Sequence, residues 1–251
     1  MRSVIAVFCL LFAAPAYADR LSEDFDNAAD LAGKGWSVRN SSTAPSGETW
    51  SQGLDGVFES ESGVPDSYVG VGSASTTGDT GETISNWLFT PTLAVDGAPT
   101  LSFFSRTVDF PASPDRLEVR LSTSGNSADV GVGAGDVGDF AATLLTINPN
   151  LTTADYPNAW MRYDVVLPAF PVGTTGRIAF RYFVTDAGSL DANGDYIGVD
   201  TVRVAETVTV PENGAAGLLA LAAPLLLLAQ RYGKRRSTCP SRNPAVISPS
   251  P

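Results

Sequence analysis

The sequence predicts an all-β fold, an antiparallel jelly-roll β-sandwich, preceded by an export leader and followed by one hydrophobic helix. Three observations carry that expectation. Glycine (24) and proline (17) make up roughly one residue in six of the 251, the composition of many strands joined by turns. Several short segments alternate apolar and polar residues with period 2, as half-buried strands do. The strand-like segments follow one another through Gly/Pro turns without helical crossovers, which points to an antiparallel sandwich.

The elements follow in chain order. Arg2, the apolar run Val4–Ala14 and the A-x-A site Ala16-Tyr17-Ala18 form a signal peptide, residues 1–18, cut by signal peptidase between Ala18 and Asp19. Eleven apolar residues are too few to span a bilayer. Residues 19–206 are expected to be one domain. Residues 40–82 are rich in Ser, Gly, Thr and Asp and read as loops with brief strands such as Tyr68–Val71. Ile84–Pro91 is a better strand, closed by proline. Thr100–Arg106 follows the turn Asp96-Gly97. Arg116–Ser122 alternates cleanly, with Leu117, Val119 and Leu121 on one face. Gly125–Asp139 reads as a flexible loop. Arg162–Leu167 puts Tyr163, Val165 and Leu167 together. Arg177–Val184 turns Ile178, Phe180, Tyr182 and Val184 inward and Arg177 and Arg181 outward. Tyr196–Val204 is the last strand.

The tail has its own logic. Val210, Pro211 and Glu212 lead into Gly214–Ala229, which holds no charge, and a basic stop follows at Arg231, Lys234, Arg235 and Arg236. As a helix, that segment reaches about 24 Å at 1.5 Å per residue, against a ~30 Å hydrocarbon core. The basic cluster favours the cytoplasmic side. Residues 207–236 form the anchor segment, and 237–251 are expected to be a disordered tail.

Charge and missing residue types exclude several classes of function. Residues 19–210 hold 26 acids against 10 bases, a surface that repels nucleic acid. The chain has no histidine, and its two cysteines, Cys9 and Cys239, lie outside the domain. That removes a Ser-His-Asp triad, a Cys-His pair, an imidazole zinc site and a structural disulfide. Lys34 is the domain's only lysine and sits between glycines. Among so many acids a glycosidase-like carboxylate pair arises by chance. A non-enzyme is therefore expected. The alternative is a secreted glycan-active hydrolase, or its accessory binding module, using a carboxylate pair.

Several motifs occur in a familiar order: Gly35–Val38, Ile84–Pro91, Leu101–Phe104, Asp115–Thr123, Trp160, Ile178–Tyr182 and Asn193–Asp200. Together they resemble the choice-of-anchor J domain, related to the cleaved-adhesin and MAM-like β-sandwiches, over residues 21–205. The tail resembles a PEP-CTERM sorting signal, with Asn213 where that signal has its second proline and 15 residues after the basic cluster. These resemblances imply a Gram-negative envelope protein that passes the inner membrane, is processed by an exosortase-type sorting protease, and acts at the cell surface in adhesion or in the exopolysaccharide matrix. A surface glycan is the implied partner. Trp36, Trp50, Trp87 and Trp160 coincide with positions of that family's core, so Phe110 and Tyr156 are the candidate exposed aromatics.

The candidate cofactor is calcium, which takes six to eight oxygens. In related jelly rolls the first and last strands lie side by side with a structural calcium between them. By that analogy Asp24, Asp26 and Asp200 are the candidate ligands, although the first two read rather as solvated acids. Asp191, Asn193 and Asp195, on alternate residues, form a second candidate set. They read equally well as an Asn-Gly hairpin turn.

Overall fold

A computed structural model describes residues 16–190 and 193–208, with side chains from 19–190 and 193–206. The leader up to Pro15, Asp191, the sorting motif Val210–Glu212, the apolar segment, the basic cluster and residues 237–251 lie outside the described residues. Among the described residues no helix is long and apolar enough to cross a membrane.

Twelve strands are described: β1 (Ala16–Glu23), β2 (Ser37–Asn40), β3 (Ser51–Gln52), β4 (Val69–Gly72), β5 (Glu82–Phe89), β6 (Leu93–Ala94), β7 (Thr100–Thr107), β8 (Leu117–Ser122), β9 (Ala142–Ile147), β10 (Met161–Val166), β11 (Thr175–Ala187) and β12 (Tyr196–Val208). They form two antiparallel sheets. The first runs β10-β7-β12-β4-β3, with β1 also on β12. The second runs β2-β5-β11-β8-β9, with β6 on β11. Each sheet is built around one 13-residue strand. Along one edge β12 pairs with β7 for most of its length; along the other, Tyr196–Val199 pair with β4 and Val202–Val208 with β1. The first and last strands do lie side by side.

Strand parity explains the core. Leu101 and Phe103 of β7 face Ile178, Phe180 and Tyr182 of β11, all fully buried between the sheets. Phe103 meets Phe180 edge to face at 5.1 Å across the sandwich, a geometry that favours the ring quadrupoles. The predicted inward set of β11 is therefore inward. β1 has no apolar alternation to announce it. It is held by pairing and by Arg20, whose guanidinium donates to Asp96 Oδ1 at 2.9 Å and to Glu206 Oε2 at 2.8 Å. The predicted leader junction, Ala18–Asp19, falls inside β1.

Two expectations need correction. Arg177 and Arg181 point away from the core, yet both are buried. The segment predicted as a flexible loop, Gly125–Asp139, folds over Arg181 on the outer face of the second sheet, while Arg177 donates to Thr90 O, Gly35 O and Ser37 Oγ. Val130 and Phe140 pack there against Trp87, Phe89 and Ala179 as a second hydrophobic cluster. Side-chain-to-backbone bonds order the loop: Asp129 Oδ1 accepts from Gly131 N, and Asp136 Oδ2 accepts from Val132 N and Gly133 N. Arg181, 1% exposed, donates to Ser85, Glu118 and Ala134 O, and lies over the rings of Trp87 and Phe183. Burial pushes it down to about 10, against the pull of Glu118.

Candidate functional site

The outer face of the first sheet is paved with glycine where β4 meets the start of β12. Gly70 pairs with Gly198, and Gly72 with Tyr196. Val69 and Val71 point into the core, so Gly70, Gly72 and Gly198 face outward with no side chain. Rings from distant segments take the space. A Cβ at Gly198 would stand 2.8 Å from Trp160 Cη2, 2.9 Å from Phe58 Cε2 and 3.0 Å from Tyr68 Cδ2. Phe58 stacks on Tyr68 at 4.9 Å, meets Trp160 at 5.6 Å, and carries the Arg106 guanidinium at 4.4 Å. Trp160 is thus a packing residue as expected, but on the outer face rather than between the sheets. Its indole N–H donates to Glu59 O at 2.8 Å.

Beside this cluster lies a groove of about 460 Å³, within the size range of ligand sites. Gly70–Ala74 form part of its lining, with the Tyr196 ring and the apolar side chains of Leu54, Val57 and Val108. Leu54 and Val57 are 53% and 40% exposed. Thr49, Ser51 and Ser73 add hydroxyls, and Glu48 and Asp195 add carboxylates. No arginine or lysine is among the lining residues. Among the described residues neither carboxylate has an ion-pair partner.

The loop from Val108 to Pro114 flanks the groove. Val108 lines it, and Ala112 N–H donates to Asp195 Oδ2 at 3.3 Å. On that loop Phe110 is 92% exposed, so the expectation for Phe110 holds. Tyr156 is instead buried, its hydroxyl 2.7 Å from Ser105 Oγ.

Asp195 is positioned from behind by Asp115. Asp115, 1% exposed, accepts from Asp195 N at 2.7 Å, from Tyr182 Oη at 2.5 Å and from Thr107 Oγ1 at 2.6 Å. Thr107 Oγ1 also lies 3.0 Å from Tyr196 O, a second acceptor for its single hydrogen. Burial raises the Asp115 carboxyl to about 6, against the pull of the donors around it; the nearby Asp195 adds a smaller upward push.

The candidate calcium ligands are engaged with protein donors. Asp24 pairs with Arg203 at 3.1 Å. Asp26 Oδ1 accepts from Ser67 Oγ at 3.1 Å. Asp200, fully buried, accepts from the amides of Glu61 (2.8 Å), Ser62 (3.3 Å) and Thr201 (2.6 Å), and burial raises it to about 6. Asp26 and Asp200 thus grip one loop, residues 59–67, from two sides. Among the described residues no three carboxylates gather as a metal site would require. Amide donors around Asp200 do not fit an oxygen cage. Of the second set, Asn193 Nδ2 donates to Thr185 O at 2.9 Å, while Asp195 faces the groove. Sequence reasoning named Asp195 for a metal and missed Glu48, Leu54, Val57 and Tyr196 as groove residues. The one signal for the groove was the glycine spacing at 70 and 72.

No family model matches the chain, and no curated protein matches it. Among solved structures it is similar to the K3 cleaved adhesin domain of Lys-gingipain from Porphyromonas gingivalis, at 23% identity over 76% of this chain and 99% of that one, with a TM-score of 0.52. It is also similar to the K1 cleaved adhesin domain of the same protein, at 22% identity over 75% and 98%, with a TM-score of 0.51. These likenesses show the β-sandwich fold.

Proposed function

We propose that this chain is an exported, surface-anchored β-sandwich that binds a polysaccharide without turning it over, in adhesion or in an exopolysaccharide matrix. The observation that carries the reading is the groove beside β12. It combines a size suited to sugar residues, a partly buried Tyr196, apolar walls, hydroxyls and carboxylates, and a fully presented Phe110 on the flanking loop. Sugar rings offer apolar C–H faces and a rim of hydroxyls, which such a lining matches.

The chemistry available supports binding without turnover. The chain has no histidine. The two carboxyls raised to about 6, Asp115 and Asp200, have the raised value of a general acid but are sealed from solvent. The leader, the choice-of-anchor J resemblance and the PEP-CTERM-like tail support export, an exosortase-type processing step and display at a Gram-negative surface.

The test is affinity electrophoresis of the full-length chain in gels cast with a panel of bacterial and plant polysaccharides. Retardation by at least one polymer is expected, together with its loss in Phe110→Ala and no release of reducing ends. Release of reducing ends, abolished by Glu48→Gln, would establish the hydrolase instead. Mass spectrometry of the mature chain from its host tests the address. Expected termini lie at Asp19 and near Val210–Asn213, and an intact C-terminus overturns the sorting step.

A further inference from the structure

We infer that the groove selects a cationic glycan, a chain of amino sugars whose amines are unacylated, with ammonium groups held by Glu48 and Asp195. The inference rests on the reading of the groove as a glycan site and adds the charge class of the ligand.

The domain's opposite charges are unevenly placed. Its cations are used elsewhere. Arg20 is tied to Asp96 and Glu206, Lys34 to Glu23, Arg106 to Asp109, Arg120 and Arg181 to Glu118, Arg162 to Asp164, and Arg203 to Asp24. Of the remaining three, Arg116 donates to Phe183 O, Arg177 to Thr90 O and Arg39 to Gly131 O. None of the ten lines the groove. Glu48 and Asp195 face the same space without a cation, and Asp115 lies directly behind Asp195.

The consequence is a difference between ligand classes. An acidic saccharide brings like charge into a partly desolvated space and is repelled. A neutral saccharide satisfies the carboxylates through its hydroxyls but leaves both charges uncompensated as the ligand displaces water. An ammonium makes charge-assisted hydrogen bonds, roughly twice as strong as neutral ones, and lowers the net charge of the groove. The exposed Phe110 ring on the flanking loop favours a cation as well. A basic peptide meets the same carboxylates. The exposed Phe110 and the apolar walls Leu54 and Val57 suit the flat faces of sugar rings, and that favours the glycan.

The test is a titration of the full-length chain with short oligomers of glucosamine, of N-acetylglucosamine, of glucose and of galacturonate, and with oligolysine, at a mildly acidic pH where the sugar amines are charged. The glucosamine oligomer is expected to bind about tenfold or more tighter than its N-acetylated counterpart, or about 1.4 kcal/mol. Glu48→Gln and Asp195→Asn should each shrink that preference while leaving the melting temperature in place. Asp155→Asn, which removes the same charge from an exposed site outside the groove, should leave it unchanged. Equal affinity for the acetylated oligomer, tighter binding of oligolysine, or a preference that Asp155→Asn removes equally well overturns the inference. Glucose oligomers bound as tightly as glucosamine and lost in Phe110→Ala overturn it while leaving the glycan groove standing. Binding of none of the sugars overturns both.

Discussion

The hydroxyl of Tyr182, in the centre of β11, donates to Asp115 Oδ1 at 2.5 Å inside the sandwich, and the same oxygen accepts the Asp195 amide at the edge of the groove. One buried carboxylate thus joins the core of one sheet to the turn that opens the last strand of the other. Its cost is ionisation in a buried place.

That cost sets a pH dependence. Asp115 and Asp200 are both raised to about 6 by burial. A raised carboxyl binds its proton more tightly in the folded state. Its contribution is therefore complete below the unfolded value near 3.9 and is lost as pH rises through about 6. For Asp115 the shift of about two units corresponds to about 3 kcal/mol. Asp96, Asp136 and Glu118 are shifted downward, by backbone amides for the first two and by Arg120 and Arg181 for Glu118, so their contributions vanish in stronger acid. The melting temperature should rise as pH falls from about 7.5 to about 5, then drop below about 4. Asp115→Asn should flatten the first limb, because Thr107 Oγ1 can turn its hydrogen to Tyr196 O and accept from the new amide. A melting temperature that falls steadily from neutral pH rejects this account.

Arg181 is expected to be among the most costly positions to truncate. It is buried, ion-paired to Glu118 at 3.1 Å and lies over the faces of Trp87 and Phe183. Arg181→Ala leaves the buried Ala134 carbonyl without its donor and the Ser85 hydroxyl with only the Trp87 indole N–H. A loss of about 3–5 kcal/mol is expected, measured by urea unfolding. Limited proteolysis should then cut first within residues 125–139, which Arg181 holds down. Cleavage elsewhere would show that the loop is held by Val130 and Phe140 alone.

These two positions show what sequence can and cannot convey. Period-2 parity placed Ile178, Phe180 and Tyr182 inward correctly, because side-chain direction along a strand is local. The same parity placed Arg181 outward, and that too is right for the sheet. Its burial depends on a Gly/Asp-rich loop more than 40 residues earlier, whose three valines have no period to announce them. Phe110 was legible as exposed because prolines and aspartates surround it in a turn. Tyr156 was not, because its partner Ser105 is 51 residues away. The groove was least legible of all. Leu54, Val57, Gly70 and Gly72 lie in a stretch that reads as loops with brief strands, and Gly70 and Gly72 reach the start of β12 through pairing across more than 120 residues.

Gly70 tests whether the groove's floor matters. A Cβ there would collide with the phenol of Tyr196. Gly70→Ala should turn Tyr196 outward into the groove at a cost of about 1–3 kcal/mol. Polysaccharide binding should fall at least as far as in Phe110→Ala, while the far-ultraviolet spectrum stays that of a β-sandwich. Gly81→Ala makes a useful contrast, since nothing stands within 4 Å of its Cβ, although its positive φ of 69° makes alanine strained there. It should lose stability without losing binding. Equal binding by wild type and Gly70→Ala would move the ligand away from this groove.

Asp200 decides between a cation site and a loop clamp. Oδ2 takes the amides of Glu61 and Ser62, and Oδ1 takes the amide and hydroxyl of Thr201. Calcium would need six to eight oxygens at about 2.3–2.6 Å, and N–H groups aimed at this carboxylate occupy the lone pairs that calcium would use. Asp24 and Asp26 are committed to Arg203 and Ser67. Calorimetric titration of the full-length chain is therefore expected to show no saturable heat at millimolar calcium, and a chelator should leave the melting temperature unchanged. Asp200→Asn should behave unlike Asp115→Asn. Each Asp200 oxygen faces a backbone amide, which cannot reverse its role, so the new side-chain amide confronts another donor. A loss of about 1–3 kcal/mol is expected, with residues 59–67 becoming the first site of proteolysis. A saturable calcium isotherm that disappears in Asp200→Asn would restore the cation between the first and last strands.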